Sequence, residues 1–244
     1  MRDALCFLTT LPLRRPAGQP APSCVRWFPM AGLVIGVAWV LCDALASRLL
    51  SPLVAGAVVL IVDAGITGAL HLDAMADVAD GVASRRPPPE AVAIMREPGV
   101  GAVGAAVLVL TCLLRLSLVT LVSGHAGALV TAPVAGRAAM ALLLATAEAE
   151  AGGGSLAAAF QPASQRATVE ATILAAMLAG LPALWGHSPL PGLCGLAAAL
   201  AGTVGYARWW KGRFGPLTGD GVGACGMIAE TLALLVLGVH LHDL

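Results

Sequence analysis

The chain has 244 residues, of which 58% are hydrophobic and 11% are charged, and its mean hydropathy is +0.86. A typical soluble domain is about 25% charged, so this composition excludes a free soluble protein, and it also excludes a disordered chain, which would be polar. The 14 basic and 14 acidic residues give a net charge of +0, which provides no global attraction to nucleic acid. The composition therefore predicts a polytopic membrane protein.

Seven segments are apolar and long enough, at roughly 20 residues, to predict membrane-spanning helices. They cover about 29–47, 52–71, 102–122, 127–146, 168–186, 192–207 and 222–241. Only a short Pro/Gly loop separates the fifth and sixth segments, which form either two spans or a re-entrant pair. We therefore predict an all-α fold, a polytopic helical bundle that makes up one membrane-embedded domain over residues 1–244.

The basic residues are concentrated in segments that seven spans would place on one side of the membrane. These segments are 1–28, 72–101, 147–167 and 208–221. Cytoplasmic segments carry an excess of Lys and Arg, so we expect a cytoplasmic N-terminus and an integral protein of the cytoplasmic (inner) membrane. Membrane lipid is therefore an expected partner. The sequence leaves open whether the chain forms a homo-oligomer.

Three carboxylates follow the second predicted span at spacings of four and three residues. On a helix, Asp73, Asp77 and Asp80 would share one face. Carboxylates this close repel one another, and no basic residue lies among them. Mg²⁺ takes oxygen ligands and commonly sits between carboxylates and substrate phosphates. The stripe therefore predicts a Mg²⁺ site rather than a solvated helix end, because acids at membrane depth are costly and usually functional.

Polar residues in two other segments are candidates for binding phosphate or for completing the metal site. Arg96 and Glu97 end a short amphipathic helix that Pro98 stops, and an arginine can hold a phosphate with two hydrogen bonds. A glycine-rich loop carrying Thr218 and Asp220 leads into the last span. The predicted topology places this loop on the same side as the three aspartates, although its composition suits a plain interfacial loop equally well.

Charged residues inside predicted spans usually pair with one another. Arg115 and Arg137 lie near the middle of the third and fourth spans, and Asp43 and Asp63 lie in the first two. We expect internal Arg–Asp pairing above all for Asp43. Arg137 is instead a candidate for reaching an anionic substrate in a cavity. His71, just before the three aspartates, is a candidate ligand or proton carrier.

A resemblance to a known family rests first on residues 71–81, which read His-Leu-Asp-Ala-Met-Ala-Asp-Val-Ala-Asp-Gly. This segment resembles the signature of the cobalamin synthases, the adenosylcobinamide-GDP ribazoletransferases. Further similarity, in order along most of the chain, lies at Phe7-Leu8-Thr9-Thr10-Leu11-Pro12, Ile94-Met95-Arg96-Glu97, Gly101-x-x-Gly104 and Thr218-Gly219-Asp220-x-x-Gly223-Ala224. The chain departs from the family at Ala74, where Gly is usual, and at Glu97-Pro98, where Asp-Ser is usual.

The resemblance implies a magnesium-dependent transferase of cobalamin biosynthesis. Its small-molecule substrates would be adenosylcobinamide-GDP and α-ribazole, or α-ribazole 5′-phosphate, and GMP would be released. The ligands of Mg²⁺ would be Asp73, Asp77, Asp80 and Asp220, with Asp80 alternatively acting as the base for the attacking hydroxyl. The catalytic residues would be Asp73, Asp77, Asp80 and Arg96. The substrate-binding residues would be His71, Glu97, Arg137, Thr218 and Asp220.

Three other functions match parts of the sequence. A CDP-alcohol phosphotransferase also joins an alcohol to a nucleotide-activated phosphate, and residues 80–85 partly match its motif, but its later acidic motif is missing. A prenyltransferase normally needs a second Asp-rich motif, for which only Asp220 and Glu230 are present. A cation transporter predicts charge near the bilayer midplane and often internal repeats, whereas the acidic stripe lies at the end of a span and no repeat is visible.

Overall fold

A computed structural model describes residues 1–13, 20–148, 156–160, 165–181 and 188–242. The described residues form α-helices together with one 3₁₀-helix, Pro22–Trp27, and contain no β-strand, so the predicted all-α class is confirmed. In chain order the α-helices are α1 (Arg2–Leu8), α2 (Phe28–Ala46), α3 (Pro52–Thr67), α4 (Leu70–Ala83), α5 (Pro88–Met95), α6 (Ala102–Leu121), α7 (Ala126–Thr146), α8 (Leu156–Ala159), α9 (Gln165–Ala179), α10 (Leu190–Arg213) and α11 (Gly219–His242).

Five helical segments within the described ranges are long and apolar enough to cross a membrane. They are Pro22–Ala46, which joins the 3₁₀-helix to α2, together with α6, α7, α10 and α11. A sixth candidate consists of α3 and α4 taken together, which meet at an angle of 89°. The chain is therefore a polytopic helical membrane bundle with five candidate spans, or six if the bent pair is one span.

The fifth predicted span, 168–186, stays a prediction. Its helix, α9, has 15 residues, and positions 182–187 lie outside the described residues. On its exposed face α9 carries Val169, Ile173 and Met177, about one turn apart, which is the pattern of a lipid-facing helix. The next helix, α10, has 24 residues and is itself a candidate span. Among the described helices, α3 and α4 form a bent pair. The alternative that the fifth and sixth segments form a re-entrant pair stays a prediction.

The bend between α3 and α4 arises from two consecutive residues with left-handed backbone, Gly68 (φ +64°) and Ala69 (φ +55°). A glycine commonly ends a helix in this conformation, whereas an alanine adopts it only at a cost in energy. Thr10 stabilises the end of α3, because its backbone N–H donates to Ile66 O at 2.6 Å and its hydroxyl donates to Gly65 O at 2.8 Å. These contacts satisfy terminal carbonyls of α3 while α4 leaves in a new direction.

The central helix of the bundle is α7, most of whose residues are buried. It packs against α2, α9, α10 and α11. Its close approach to α2 depends on Gly32 and Gly36, because a Cβ atom at these positions would lie 2.6 Å from Pro133 O and 2.7 Å from Val130 Cα, respectively. Small residues permit such close helix packing in lipid, where no hydrophobic effect drives helices together.

Contacts join several of the segments that we predicted to lie on one side of the membrane. The guanidinium of Arg213, at the end of α10, donates to Arg86 O at 3.2 Å, beyond the end of α4. The backbone N–H of Leu217, just before α11, donates to Glu148 O at 2.7 Å, just after α7. The loops that follow α4, α7 and α10 therefore meet.

The expected Arg pairing of Asp43 is wrong. Asp43 is buried near the end of α2, where its carboxylate accepts hydrogen bonds from Ser123 Oγ at 2.7 Å and from the backbone N–H of Gly124 at 2.9 Å. Both donors belong to the turn between α6 and α7. Asp43 therefore fastens this turn to the end of α2, and the buried arginines pair with other acids.

Candidate active site

The three aspartates lie on α4, as predicted. Asp73 is exposed, and Asp77 and Asp80 are half-buried. Ala74 and Val78 are buried and lie on the neighbouring side of the helix. Local periodicity explains this arrangement, because residues four and seven positions apart fall on one helical face.

The beginning of α11 packs against α4 and brings a fourth acid to the stripe. A glycine at position 223 allows the close approach, since a Cβ atom there would lie 2.7 Å from the Cβ of Ala74. As a result Asp220, in the first turn of α11, lies within electrostatic range of Asp73 and of Asp77. We refer to Asp73, Asp77 and Asp220 as the acidic cluster.

Like charges surround Asp77 at the centre of this arrangement. Its carboxylate is repelled by Asp73, Asp220 and Asp80, in that order of strength, while Arg96 attracts Asp220. In the part of the chain that the structure describes, no three His, Cys, Asp or Glu side chains are close enough together to hold a metal ion. The predicted four-carboxylate metal site is therefore not preassembled, although the cluster has a strong excess of negative charge.

Asp80 caps a helix. Its carboxylate oxygens accept hydrogen bonds from the backbone N–H groups of Gly101, at 2.7 Å, and Gly104, at 2.8 Å. These are the first residues of α6 and its N-cap, where unpaired N–H groups and the helix dipole favour an anion. The Gly101-x-x-Gly104 pattern thus receives a carboxylate of this chain. A role for Asp80 as a metal ligand or base stays a prediction, and it would have to share these oxygens.

Thr218 caps α11 in a similar way. Its side chain is buried, and its hydroxyl oxygen accepts a hydrogen bond from the backbone N–H of Gly221 at 3.1 Å. This contact holds the first turn of α11, and with it Asp220, against α4. The residues after α5 are more open, because Arg96 and Glu97 are both exposed. Direct contacts of Thr218, Arg96 and Glu97 with a substrate stay predictions.

Arg137 belongs to a buried ion network in the interior of the bundle. Its guanidinium donates to the Glu230 carboxylate, which also accepts from Arg115 at 2.7 Å. Arg115 reaches Asp63 at 3.3 Å, and Asp63 accepts from Trp39 Nε1 at 3.2 Å. The two arginines and two acids balance in charge, so a contact between Arg137 and an anionic substrate stays a prediction that would require this network to open. Sequence reasoning missed the bridging role of Glu230, whose only signal was its position as the single acid in the middle of the last span.

A small cavity of about 40 Å³ lies beside the acidic cluster. Its lining comes from α1, α4, α7, α11 and the segment 157–160, and it includes Phe7, His71, Asp73, Met140, Leu144, Phe160 and Asp220. His71 is 4% exposed, and its Nε2 atom has no hydrogen-bond partner among the described residues. The arrangement therefore offers carboxylates from α4 and α11 and a nearby arginine at one place, which suits chemistry on a phosphate-bearing molecule.

Comparisons with known proteins agree with this reading. The family model described as cobalamin-5-phosphate synthase matches residues 1–238. Curated proteins named adenosylcobinamide-GDP ribazoletransferase are similar over nearly their whole length. The one from Ectopseudomonas mendocina is 38% identical, covering 98% of each chain. Those from Stutzerimonas stutzeri and Roseiflexus sp. are 37% and 36% identical, covering 97% and 96% of this chain and 96% and 87% of their own. No solved structure matches the chain. The extent of these matches shows that the chain belongs to the cobalamin-5-phosphate synthase family.

Proposed function

We propose that this chain is a membrane transferase that joins adenosylcobinamide-GDP to α-ribazole, or to α-ribazole 5′-phosphate, and releases GMP. The product would be adenosylcobalamin or its phosphate. The names of the similar curated proteins support this activity, and the family match over residues 1–238 favours it over a CDP-alcohol phosphotransferase, a prenyltransferase or a cation transporter. The main structural support is the acidic cluster, in which Asp220 comes from a helix distant in sequence from Asp73 and Asp77.

Mg²⁺ fits the chemistry of this cluster. The donors are carboxylate oxygens, which Mg²⁺ prefers, and they have excess negative charge that a cation would offset. Mg²⁺ usually keeps several waters and binds through one or two carboxylates together with substrate phosphates, so a preassembled three-donor site is not required. Two of the three carboxylates of Asp73, Asp77 and Asp220 would hold the ion, which leaves the third to accept a proton. When bound, Mg²⁺ would offset the negative charge that develops on the phosphate oxygens.

The protein side chains then have separate tasks. The hydroxyl of the acceptor attacks the phosphorus on the cobinamide side of the diphosphate. A P–O bond to the acceptor forms, the P–O bond to GMP breaks, and a carboxylate of the acidic cluster takes the hydroxyl proton. Arg96, which lies near Asp220, would bind phosphate oxygens through its guanidinium. Asp80 would act by holding the start of α6 in place beside the cluster.

We also infer that the site faces the cytoplasm from the inner membrane. Basic residues lie in the loops after α4 and at the end of α10, including Arg86 and Arg213, whose contact joins the two segments. An excess of such residues marks cytoplasmic segments. Anionic lipid of the cytoplasmic leaflet would be the expected neighbour of this surface. A homo-oligomer would be compatible with the same orientation.

The decisive experiment is to incubate the purified protein with adenosylcobinamide-GDP and α-ribazole and to measure GMP release with and without EDTA. We expect release that EDTA abolishes and that added Mg²⁺ restores. Asp73→Asn and Asp77→Asn should lose most turnover at any Mg²⁺ concentration. Glu90→Gln is the matched control, because Glu90 is an exposed acid that pairs with Arg86 at 2.9 Å. Wild-type turnover in both aspartate variants would refute the assignment.

A further inference from the structure

The position of Asp220 in the acidic cluster depends on the backbone around it. The segment 214–218 connects α10 to α11, and Asp220 follows Gly219, the first residue of α11. Its carboxylate is hydrogen-bonded to its own backbone N–H, so it moves with the turn that carries it. The first turn of a helix has N–H groups without partners inside the helix, and helix ends open more easily than helix interiors. Whatever holds this turn therefore also places Asp220.

Trp210, in the last turn of α10, contacts the chain on both sides of Asp220. Its indole Nε1–H donates a hydrogen bond to Pro216 O at 3.1 Å. Its ring lies against Gly221, where a Cβ atom would lie 2.8 Å from the ring atoms Cη2 and Cζ2. One side chain therefore fixes the backbone at a residue before Asp220 and at the residue directly after it.

The indole of Trp210 is itself firmly held. It is 1% exposed, and its ring contacts those of Phe214 and Tyr206, with centroid distances of 4.7 Å and 5.9 Å. Aromatic rings packed in this way bury large apolar surfaces. The adjacent Trp209 is 43% exposed, and the three atoms nearest to a Cβ at position 221 all belong to Trp210. Of these two tryptophans, Trp210 is therefore the one that supports the turn.

Repulsion between like charges explains why this turn needs support. The other two members of the acidic cluster repel Asp220, and this force pushes the start of α11 away from α4. A Cβ at Gly223 would meet Ala74 of α4, and a Cβ at Gly221 would meet the ring of Trp210. Two residues cover about 200° around a helix, so α4 and Trp210 lie on nearly opposite sides of the turn. Trp210 therefore supports the turn against the repulsion.

We propose that Trp210 is a positioning residue that holds Asp220 in the acidic cluster. The inference rests on the proposed function and deepens it, because it names a residue outside the cluster on which the geometry of the cluster depends. Trp210 acts through Asp220, since its contacts are with the backbone of the segment that carries this acid. A shift of the turn away from α4 weakens the attraction of the cluster for a cation, whether Asp220 binds the ion or only attracts it.

The first test measures cation binding without turnover. Mn²⁺ replaces Mg²⁺ as the probe, and the EPR signal of free Mn²⁺ gives its dissociation constant from the purified protein in detergent. We expect Trp210→Leu to raise this constant about tenfold, the lower end of the effect of removing a group that supports a metal ligand. Trp210→Phe keeps a ring beside Gly221 but loses the hydrogen bond to Pro216 O, so its increase should be smaller. Trp209→Leu is the matched control and should leave the constant unchanged.

The second test is a double-mutant cycle that asks whether Trp210 acts through Asp220. Asp220→Asn removes the charge that Trp210 positions. Adding Trp210→Leu to Asp220→Asn should therefore change the Mn²⁺ dissociation constant by less than about twofold, whereas independent effects would combine in full. A further tenfold loss in the double variant would show that Trp210 acts by another route and would refute the inference.

The Mg²⁺ dependence of GMP release separates positioning from a general loss of stability. Loss of folded protein lowers the maximal rate but leaves the Mg²⁺ concentration for half-maximal rate unchanged. A displaced Asp220 raises this concentration, and we expect the increase for Trp210→Leu. Asp43→Ala is the stability control, because Asp43 fastens the turn that follows the other end of α6, and it should affect only the maximal rate.

The outcomes separate this inference from the proposed function. If the wild-type protein releases no GMP from the two substrates together, the proposed function fails, and Mn²⁺ binding still tests Trp210. If GMP is released but both Trp210 variants bind Mn²⁺ as the wild type does, or Trp209→Leu weakens binding as much as Trp210→Leu, the positioning role is refuted while the proposed function stands. A wild-type protein that binds no Mn²⁺ refutes it as well. If Trp210→Leu does not fold, Trp210→Phe decides by the same comparison with Trp209→Leu.

Discussion

Replacing Glu230 by Gln tests the buried ion network. Glu230 is 3% exposed and accepts hydrogen bonds from Arg115 and from Arg137. Gln keeps the size and shape of the side chain but removes its charge. The network then retains two arginines and one acid, Asp63, so that one positive charge lies in the interior of the bundle without compensation.

Removing one partner of a buried ion pair typically costs about 3–5 kcal/mol, because the remaining charge is left unpaired away from water. The full range applies here, since Arg115 and Arg137 are each 2% exposed. Arg137 loses the Glu230 carboxylate, whereas Arg115 keeps its contact with Asp63. For a chain of 150–250 residues each kcal/mol shifts Tm by about 2–4 °C. We therefore expect Glu230→Gln to lower Tm by about 6–20 °C.

Thermal unfolding of the detergent-solubilised protein, followed by the fraction that stays monodisperse, measures this shift. The control is Glu170→Gln, because Glu170 pairs with Arg26 and Arg166 at a partly exposed position, where an ion pair contributes about 0–1 kcal/mol. Adding Arg137→Met to Glu230→Gln removes the uncompensated charge and should recover part of the lost Tm. The reasoning is refuted if the Tm of Glu230→Gln lies within 2 °C of that of the control. It is also refuted if the double variant loses as much Tm as Glu230→Gln and Arg137→Met lose together.

Three further predictions concern helix ends and helix packing. Asp80→Ala should lower stability by about 1–2 kcal/mol because α6 loses its cap, while Asp80→Asn, which keeps one acceptor, should lose less in the same melting assay. Gly32→Ala should lower Tm, since its Cβ would lie 2.6 Å from a backbone oxygen of α7, whereas Gly65→Ala, with nothing within 4 Å, should leave Tm unchanged or raise it. Asp43→Ala should cost about 2 kcal/mol in thermal unfolding, because two partly buried hydrogen bonds lose their charged acceptor.

Local patterns were sufficient to predict much of this molecule. Hydropathy placed segments 29–47, 102–122 and 127–146 within a few residues of α2, α6 and α7, because each of these helices is about as long as one bilayer crossing requires. Spacing alone placed Asp73 and Asp77 on one face of α4, since the period of the helix is a local property. The resemblance carried by residues 71–81 is supported by the family match.

Hydropathy did not reveal the bend after α3. The segment 52–71 reads as one apolar run, and the 89° change of direction depends on the backbone of Gly68 and Ala69 and on the contact with Thr10. An averaged hydropathy does not respond to the sign of one dihedral angle.

Only the tertiary structure determined which groups pair with one another in hydrogen bonds and ion pairs. The spacing of Asp80 predicts a metal ligand, yet its carboxylate oxygens accept hydrogen bonds from backbone N–H groups 21 and 24 residues away. Glu230 meets Arg115 across 115 positions of the chain. Composition and periodicity determine which face of a helix is apolar and which is charged, because those properties depend on neighbours within two turns. Which charge meets which, and whether a cavity remains between them, depends on how distant helices pack, and only the folded chain decides it.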